Sequence, residues 1–293
     1  MRLPFRLVDV FTEVPFAGNQ LCVVPEAPTD LSTVTMQTLA REIGFSETTF
    51  VSRADERGYD VRIFTPIDEL PFAGHPTLGT AFTLAELGRT GTSVLQTCGA
   101  GEIPVEVDLE AGTARMRQLP PEFGPEVTDR AAVARAAGLE PTDLVEGLPL
   151  LPASTGIFHL LVPVRDEATL RRAVRDPRAS HERATAADAE SLYLFTVRDD
   201  GDVLARMFDK DDSIGEDPAT GSAAGPLGAY LAEHGLAGMP GAVTVSQGEM
   251  VGRSSSIEVE VEADEGGWTV WVAGGVRTVG DGAFEVPATP VRR

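Results

Sequence analysis

Basic residues are scarce in this 293-residue chain: 24 Lys and Arg stand against 45 Asp and Glu, a formal charge of −21. Nucleic acids and anionic membranes both demand a basic footprint, so neither is expected as a partner. Cysteine is nearly absent. Cys22 and Cys98 show neither metal-ligand spacing nor a disulfide framework and lie in strand-like runs, which fits buried thiols in a reducing compartment. No run approaches the ~18 apolar residues of a membrane span. The N-terminal MRLPFRLVDVF carries Arg6 and Asp9 inside its apolar stretch and has no signal-peptide core, so a cytoplasmic, soluble location is expected. Phosphate-binding signatures are missing too: no G-x-x-x-x-G-K-[ST] occurs, and no G-x-G-x-x-G follows a strand.

What the chain does have is an ordinary apolar content of 42%, enough to bury a sizeable core in one large domain or two of usual size. Alternating apolar residues predict strands at Phe5–Phe11, Gln20–Val24, Tyr59–Phe64, Ser93–Cys98, Glu102–Leu109 and Thr113–Leu119. Helices are predicted over Ser32–Ile43 and from about Pro76 to Leu87. After Pro120–Pro125, a linker candidate, come a helix at Thr128–Ala137 and a strand at Ile157–Val164. The charge-rich stretch Asp166–Ala189 reads as exposed helix and loop. Strands follow at Ser191–Val197 and Val203–Phe208, then a second apolar helix, then strands at Val243–Gln247, Ser256–Glu262, Gly267–Ala273 and Val276–Phe284. Strands about one helix therefore occur twice, an internal duplication in an α+β chain.

The duplication surfaces in sequence at two stretches, His75–Ala81 (HPTLGTA) and Asp217–Ala223 (DPATGSA), 142 residues apart. Both resemble helix starts. Asp217 suits an N-cap and Pro218 a first helical position, and the small residues after them leave first-turn amides open to an anion. On this pattern Gly79-Thr80 and Gly221-Ser222 are candidate anion contacts, and two such starts facing one cleft would set His75 and Asp217 on opposite walls. Glu47, His75 and Asp217 are the acid–base candidates. Each has a plainer alternative: a solvated strand carboxylate, a loop histidine, a simple cap. Glu47 stands out as the one charge in the interior-like run FSETTFV. His159, His181 and His234 receive no role.

The blocks Phe16-Ala17-Gly18-Asn19, Phe45–Val51, Phe64-Thr65-Pro66, Gly74–Ala81, Gly215–Ala223, Gln247-Gly248 and Val272–Gly275 resemble, in order and spacing, the signatures of the phenazine-biosynthesis PhzF-like isomerases. The resemblance implies a diaminopimelate-epimerase-like fold: two pseudo-symmetric halves, each a β-barrel-like sheet around a central helix, with the active site between them. The expected halves are residues 1–120, joined by a last strand at about 280–293, and residues 126–279. It also implies a homodimer acting without cofactor or metal on a small carboxylate-bearing molecule such as trans-2,3-dihydro-3-hydroxyanthranilate. By the same resemblance Glu47 is the general acid/base, and His75 and Asp217 assist it. Gly74, Gly221, Ser222, Asn19 and Thr220 contact substrate, Ser222 and the nearby amides holding a carboxylate. The epimerase branch uses two cysteines at the helix starts, where this chain has Gly74-His75 and Thr220-Gly221. Thiol-dependent epimerisation is therefore disfavoured. An isomerase of a proline-like or other unsaturated amino acid, an amino-acid epimerase and a non-catalytic carboxylate-binding protein are the alternatives.

Overall fold

Residues 1–212 and 214–287 are described by a computed structural model. They form two compact units, one of Met1–Met116 with Ala273 onward, the other of Arg117–Val272. Residues 288–293 of the expected last strand lie outside the described residues.

In the first unit β1 (Arg2–Val10) pairs antiparallel with β2 (Asn19–Val24), Val10 opposite Asn19. Helix α1 (Thr33–Ile43) then crosses over to β3 (Glu47–Asp55), which lies parallel to β2 with Leu21 beside Glu47. The ends of α1 are written locally. The Ser32 side chain accepts the Thr35 amide, and Gly44 takes the left-handed φ of +71° that closes the helix. An antiparallel hairpin leads to β4 (Gly58–Phe64), flanked by the short β5 (Glu69–Leu70). Helix α2 (Gly74–Glu86) follows, then β6 (Ser93–Cys98) parallel to β4, and the meander of β7 (Gly101–Asp108) and β8 (Thr113–Arg117).

Twelve of the thirteen residues of α2 are buried, which makes it the centre of its unit rather than a surface helix. It packs against β1, β2, β3, β6 and β7. Close approach depends on Gly79, where a Cβ would meet Leu21 Cδ2 at 2.6 Å and Val10 Cγ2 at 2.9 Å. Thr80, beside it, hydrogen-bonds Thr49 in the interior at 2.9 Å. Gly79-Thr80 is therefore a packing contact in the second turn, not the anion contact its sequence suggests.

The second unit repeats this order. After β9 (Glu122–Phe123) and α3 (Arg130–Ala136), β10 (Leu151–Ser154) pairs antiparallel with β11 (Phe158–Pro163). Helices α4 (Glu167–Arg172) and α5 (Pro177–Ala186) cross to β12 (Ser191–Val197), which is parallel to β11. Then come β13 (Val203–Asp209), the short β14 (Glu216–Asp217), the buried helix α6 (Gly221–Glu233), β15 (Gly241–Gln247) parallel to β13, and β16 (Ser255–Asp264). Antiparallel, parallel crossover, antiparallel, short strand, buried helix, parallel strand is the sequence of steps in both units. The α+β class and the duplication are as expected.

Two expectations need correction. PPEFGP is not a free linker: Glu122 and Phe123 pair with Ser154 and Ala153, and the Gly124 amide donates to the Pro152 carbonyl at 2.7 Å. The last two strands are one, β17 (Gly267–Glu285). Gly274 and Gly275 look like a turn, yet they serve close approach: a Cβ on Gly274 would lie 2.5 Å from Phe11 Cδ1, and one on Gly275 would strike the Thr12 carbonyl. The charged stretch at 166–189 forms α4 and α5 as expected, capped by Asp166 and Asp176. No helix among the described residues is long and apolar enough to cross a membrane.

Candidate active site

The first unit brings Glu47 and His75 together. Glu47 is the first residue of β3, and the run behind it, Thr48 to Val51, is fully interior. The Glu47 side chain is only 13% exposed, so the solvated-strand alternative fails. Asn19 steadies the entry to this strand: it is buried at the start of β2 and accepts a hydrogen bond from Ser46 Oγ at 3.1 Å.

His75 is the second residue of α2 and not its cap, since the helix opens at Gly74 with Ala73 as N-cap. Pro76 is tolerated at the third position because first-turn amides have no intrahelical acceptor. His75 Nε2 lies 3.2 Å from Glu47 Oε2. Burial pushes the ring's pKa down to about 3, opposed in part by a hydrogen bond to the Gln20 backbone. Nε2 takes part in no hydrogen bond, so the bond to Gln20 falls to Nδ1. The neutral ring therefore carries its proton on Nδ1 and leaves Nε2 unprotonated, 3.2 Å from the carboxyl group of Glu47. The positive end of α2 works in the same direction as burial, against an imidazolium.

Behind α2 runs a chain of buried side-chain hydrogen bonds. Tyr59 donates to Gln96 Oε1 at 3.0 Å, Gln96 Nε2 to Thr77 Oγ1 at 2.8 Å, and Thr77 Oγ1 to the Ala73 carbonyl at 2.8 Å. The N-cap Ala73 has no capping side chain, and this chain from inside the unit holds the start of α2 instead.

The second unit assembles Asp217, Thr220, Gly221 and Ser222, with one shift from expectation. Asp217 is not an N-cap. It sits in β14 opposite Met207, and α6 begins four residues later, with Thr220 as its cap. The cause is a clamp that local propensity does not contain. Gln247 Nε2 donates to the Asp217 carbonyl at 2.8 Å and to Thr220 Oγ1 at 2.9 Å, while its Oε1 accepts from Tyr193 at 2.9 Å and from the Thr220 amide at 3.3 Å. Thr220 Oγ1 in turn donates to Asp217 Oδ2 at 2.5 Å. Gly248 must follow Gln247 because a Cβ there would strike the Pro218 and Arg253 carbonyls.

Measured from the helix starts, the repeat is Gly74-His75 against Gly221-Ser222, an offset of 147 rather than 142 residues. HPTLGTA lies inside α2, whereas DPAT precedes α6. His75 therefore corresponds to Ser222, and the amides of Gly221 and Ser222 are the ones left without intrahelical acceptors. Gln118 braces this end, donating from Nε2 to the Gly221 carbonyl at 2.9 Å, and Gly225 leaves it the room.

Sequence reading missed His159. It is buried in β11, with Nδ1 2.8 Å from Ser191 Oγ and Nε2 3.0 Å from Ser222 Oγ. The cysteines stand apart from both helix starts: Cys22 in β2, its thiol pushed up to about 12 by burial, and Cys98 at the end of β6. Among the described residues no group of His, Cys, Asp and Glu is placed to hold a metal ion.

Residues 8–282 match the family described as phenazine biosynthesis-like protein. An uncharacterized isomerase of Clostridium acetobutylicum is 35% identical, the match covering 88% of this chain and 89% of that one. The trans-2,3-dihydro-3-hydroxyanthranilate isomerase of Pseudomonas chlororaphis is 34% identical over 88% of this chain and 90% of its own. Among solved structures, the Bacillus anthracis PhzF-family phenazine biosynthesis protein superposes with a TM-score of 0.87 at 26% identity, covering 98% and 100% of the two chains. A probable proline racemase from Agrobacterium radiobacter shares the fold alone, with a TM-score of 0.71 at 14% identity over 98% of this chain and 94% of that one.

Proposed function

Because the chain belongs to the phenazine biosynthesis-like (PhzC-PhzF) family and is an isomerase of the diaminopimelate-epimerase-like fold, we propose that it shifts a proton, and with it a C=C bond, in a small carboxylate-bearing metabolite. Trans-2,3-dihydro-3-hydroxyanthranilate, the molecule named for the Pseudomonas chlororaphis relative, is the proposed type of substrate. The observation that carries this reading is Glu47, nearly buried and 3.2 Å from the Nε2 of a neutral His75.

The chemistry needs one group that can take a proton from carbon and return it elsewhere on the same face. Glu47 takes the proton of the hydroxyl-bearing carbon. The electron pair left behind moves along the conjugated double bond, and the proton is added at its far end. The resulting enol becomes a ketone by moving its hydroxyl proton to carbon. Composition is unchanged throughout. His75 holds or accepts a proton at Nε2 while Glu47 is engaged. The low-dielectric setting of the pair favours transfer between them over exchange with water.

In the same proposal residues of the second unit hold the polar groups of a substrate molecule. Ser222 Oγ and the Gly221 and Ser222 amides bind its carboxylate at the positive end of α6, the arrangement for which helix starts are suited. Asp217, aligned by Thr220, accepts from the substrate's amino or hydroxyl hydrogens. Gly74 and Asn19 border the Glu47 side. A homodimer in the cytoplasm is part of the same reading, supported by the family resemblance and by two unpaired cysteines; light scattering on the purified protein tests the oligomer.

Turnover of trans-2,3-dihydro-3-hydroxyanthranilate in D2O, followed by proton NMR, tests the function. Conversion to the keto isomer, with deuterium at the receiving carbon for the fraction that exchanges, is expected. Binding without conversion or exchange would instead mark a carboxylate-binding protein, and exchange confined to an amino-acid Cα would mark an epimerase.

A further inference from the structure

The two units build their helix starts on one strand plan but fill it differently. In the first, Glu47 opens β3 opposite Leu21 of β2, and His75 is the second residue of α2. In the second, Ser191 opens β12 opposite His159 of β11, and Ser222 is the second residue of α6. Where the first unit has a carboxylate and an imidazole in contact, the second has two hydroxyls. The imidazole between them comes from the neighbouring strand, at the place Leu21 holds in the first unit.

His159 touches both hydroxyls, Ser191 Oγ at 2.8 Å through Nδ1 and Ser222 Oγ at 3.0 Å through Nε2. The ring is 2% exposed and Ser191 is wholly buried. Burial lowers the His159 pKa to about 3, so the ring is neutral and has one donor and one acceptor nitrogen. Two arrangements satisfy it. If Ser222 donates to Nε2, its oxygen offers only lone pairs to a ligand and repels a carboxylate. If Nε2–H donates to Ser222 Oγ, the Ser222 proton is free to point at the ligand, and Ser191 completes the chain by donating to Nδ1.

We propose that His159 is a positioning residue: its Nε2–H holds Ser222 Oγ as an acceptor and thereby turns the Ser222 hydroxyl proton toward the carboxylate of the substrate. This rests on the reading of Ser222 as a carboxylate contact. His159 touches no reacting atom. It fixes the polarity of a hydroxyl that would otherwise rotate, with the buried Ser191 as the donor to Nδ1.

The test joins an NMR measurement to a binding cycle. The 15N shifts of the His159 ring in the ligand-free protein identify the protonated nitrogen; Nε2–H is expected, and Nδ1–H overturns the proposal whether or not any substrate is turned over. Binding of 3-hydroxyanthranilate and of its carboxyl-free counterpart 2-aminophenol is then measured by calorimetry for the parent, His159→Leu, His159→Gln, Ser222→Ala and the Leu/Ala double variant. His159→Leu is expected to weaken 3-hydroxyanthranilate by about tenfold to a hundredfold, the worth of a hydrogen bond to a charged group, and to leave 2-aminophenol unchanged. His159→Gln, whose amide can donate to Ser222, recovers most of the loss, and the double variant is no weaker than Ser222→Ala. Equal weakening of both ligands, or additive losses in the double variant, overturns the proposal. An intact cycle in a protein that fails to isomerise the substrate refutes the proposed reaction alone.

Discussion

Acid should unfold this protein through its interior histidines, and the His159→Gln variant isolates one of them. An unfolded histidine titrates near 6.5, whereas burial holds His159 at about 3. Below pH 6.5 the unfolded chain therefore binds a proton that the folded chain refuses. Stability is full above that value and is lost as the pH falls, down to the folded pKa. Each unit of separation is worth about 1.4 kcal/mol, so between pH 7.5 and pH 5 His159 costs about 2 kcal/mol. His75, lowered to about 3 by the same cause, costs a similar amount. Asp209 acts the other way: burial raises its pKa to about 6, so the folded state takes up its proton first, returning about 1.4 kcal/mol by pH 5. The parent should lose about 3 kcal/mol over this range and the glutamine variant less than about 1 kcal/mol. The difference of about 2 kcal/mol is free of every other titrating group. With a urea dependence of about 3 kcal/mol per molar it is a shift of about 0.7 M in relative midpoint. Urea unfolding at pH 7.5 and pH 5, followed by circular dichroism, reads it directly. Parallel pH profiles for the two proteins would refute the inference that His159 is held neutral.

Other substitutions probe the rest of the scaffold and site. Gly79→Ala should destabilise by about 1–3 kcal/mol, seen as a lower Tm, because its Cβ must displace Leu21 and Val10. Gln247→Leu leaves the Thr220 amide, the Tyr193 hydroxyl and the Asp217 carbonyl without their buried partner. A stability loss of about 1–3 kcal/mol per stranded group is expected, with a fall in kcat because Asp217 loses its alignment. Asp217→Asn should keep the fold and lower kcat/KM by about a hundredfold or more if Asp217 assists proton movement. Replacing both Cys22 and Cys98 by Ala should leave turnover intact; its loss in a folded variant would restore thiol chemistry.

Much of this was legible in the chain itself, for identifiable reasons. The strands and α1 follow local rules, an apolar alternation and a Ser cap with a closing glycine. Glu47 was visible because a single charge in an interior-like run needs a purpose. The helix start at Gly221 was not legible, since Asp217-Pro218 satisfies every local rule for a cap. What overrides it is Gln247, 30 residues downstream, together with the pairing of Asp217 to Met207. The HPTLGTA and DPATGSA likeness misled for a related reason: Gly79 is required by packing against β1 and β2 within this unit, not by duty at a helix end. His159 was hidden by its apolar strand. Its two partners lie 32 and 63 residues away, and only the fold brings them to one ring.

Glu47→Gln is the most direct measurement on the central claim. The amide fills the same volume beside His75 but cannot take a proton from carbon. With the parent and the variant equal in circular dichroism and Tm, turnover of trans-2,3-dihydro-3-hydroxyanthranilate in D2O should proceed in the first and be abolished in the second, together with exchange of the mobile proton. A folded Glu47→Gln protein that isomerises the substrate at the parent rate would contradict the assignment of Glu47 as the acid/base.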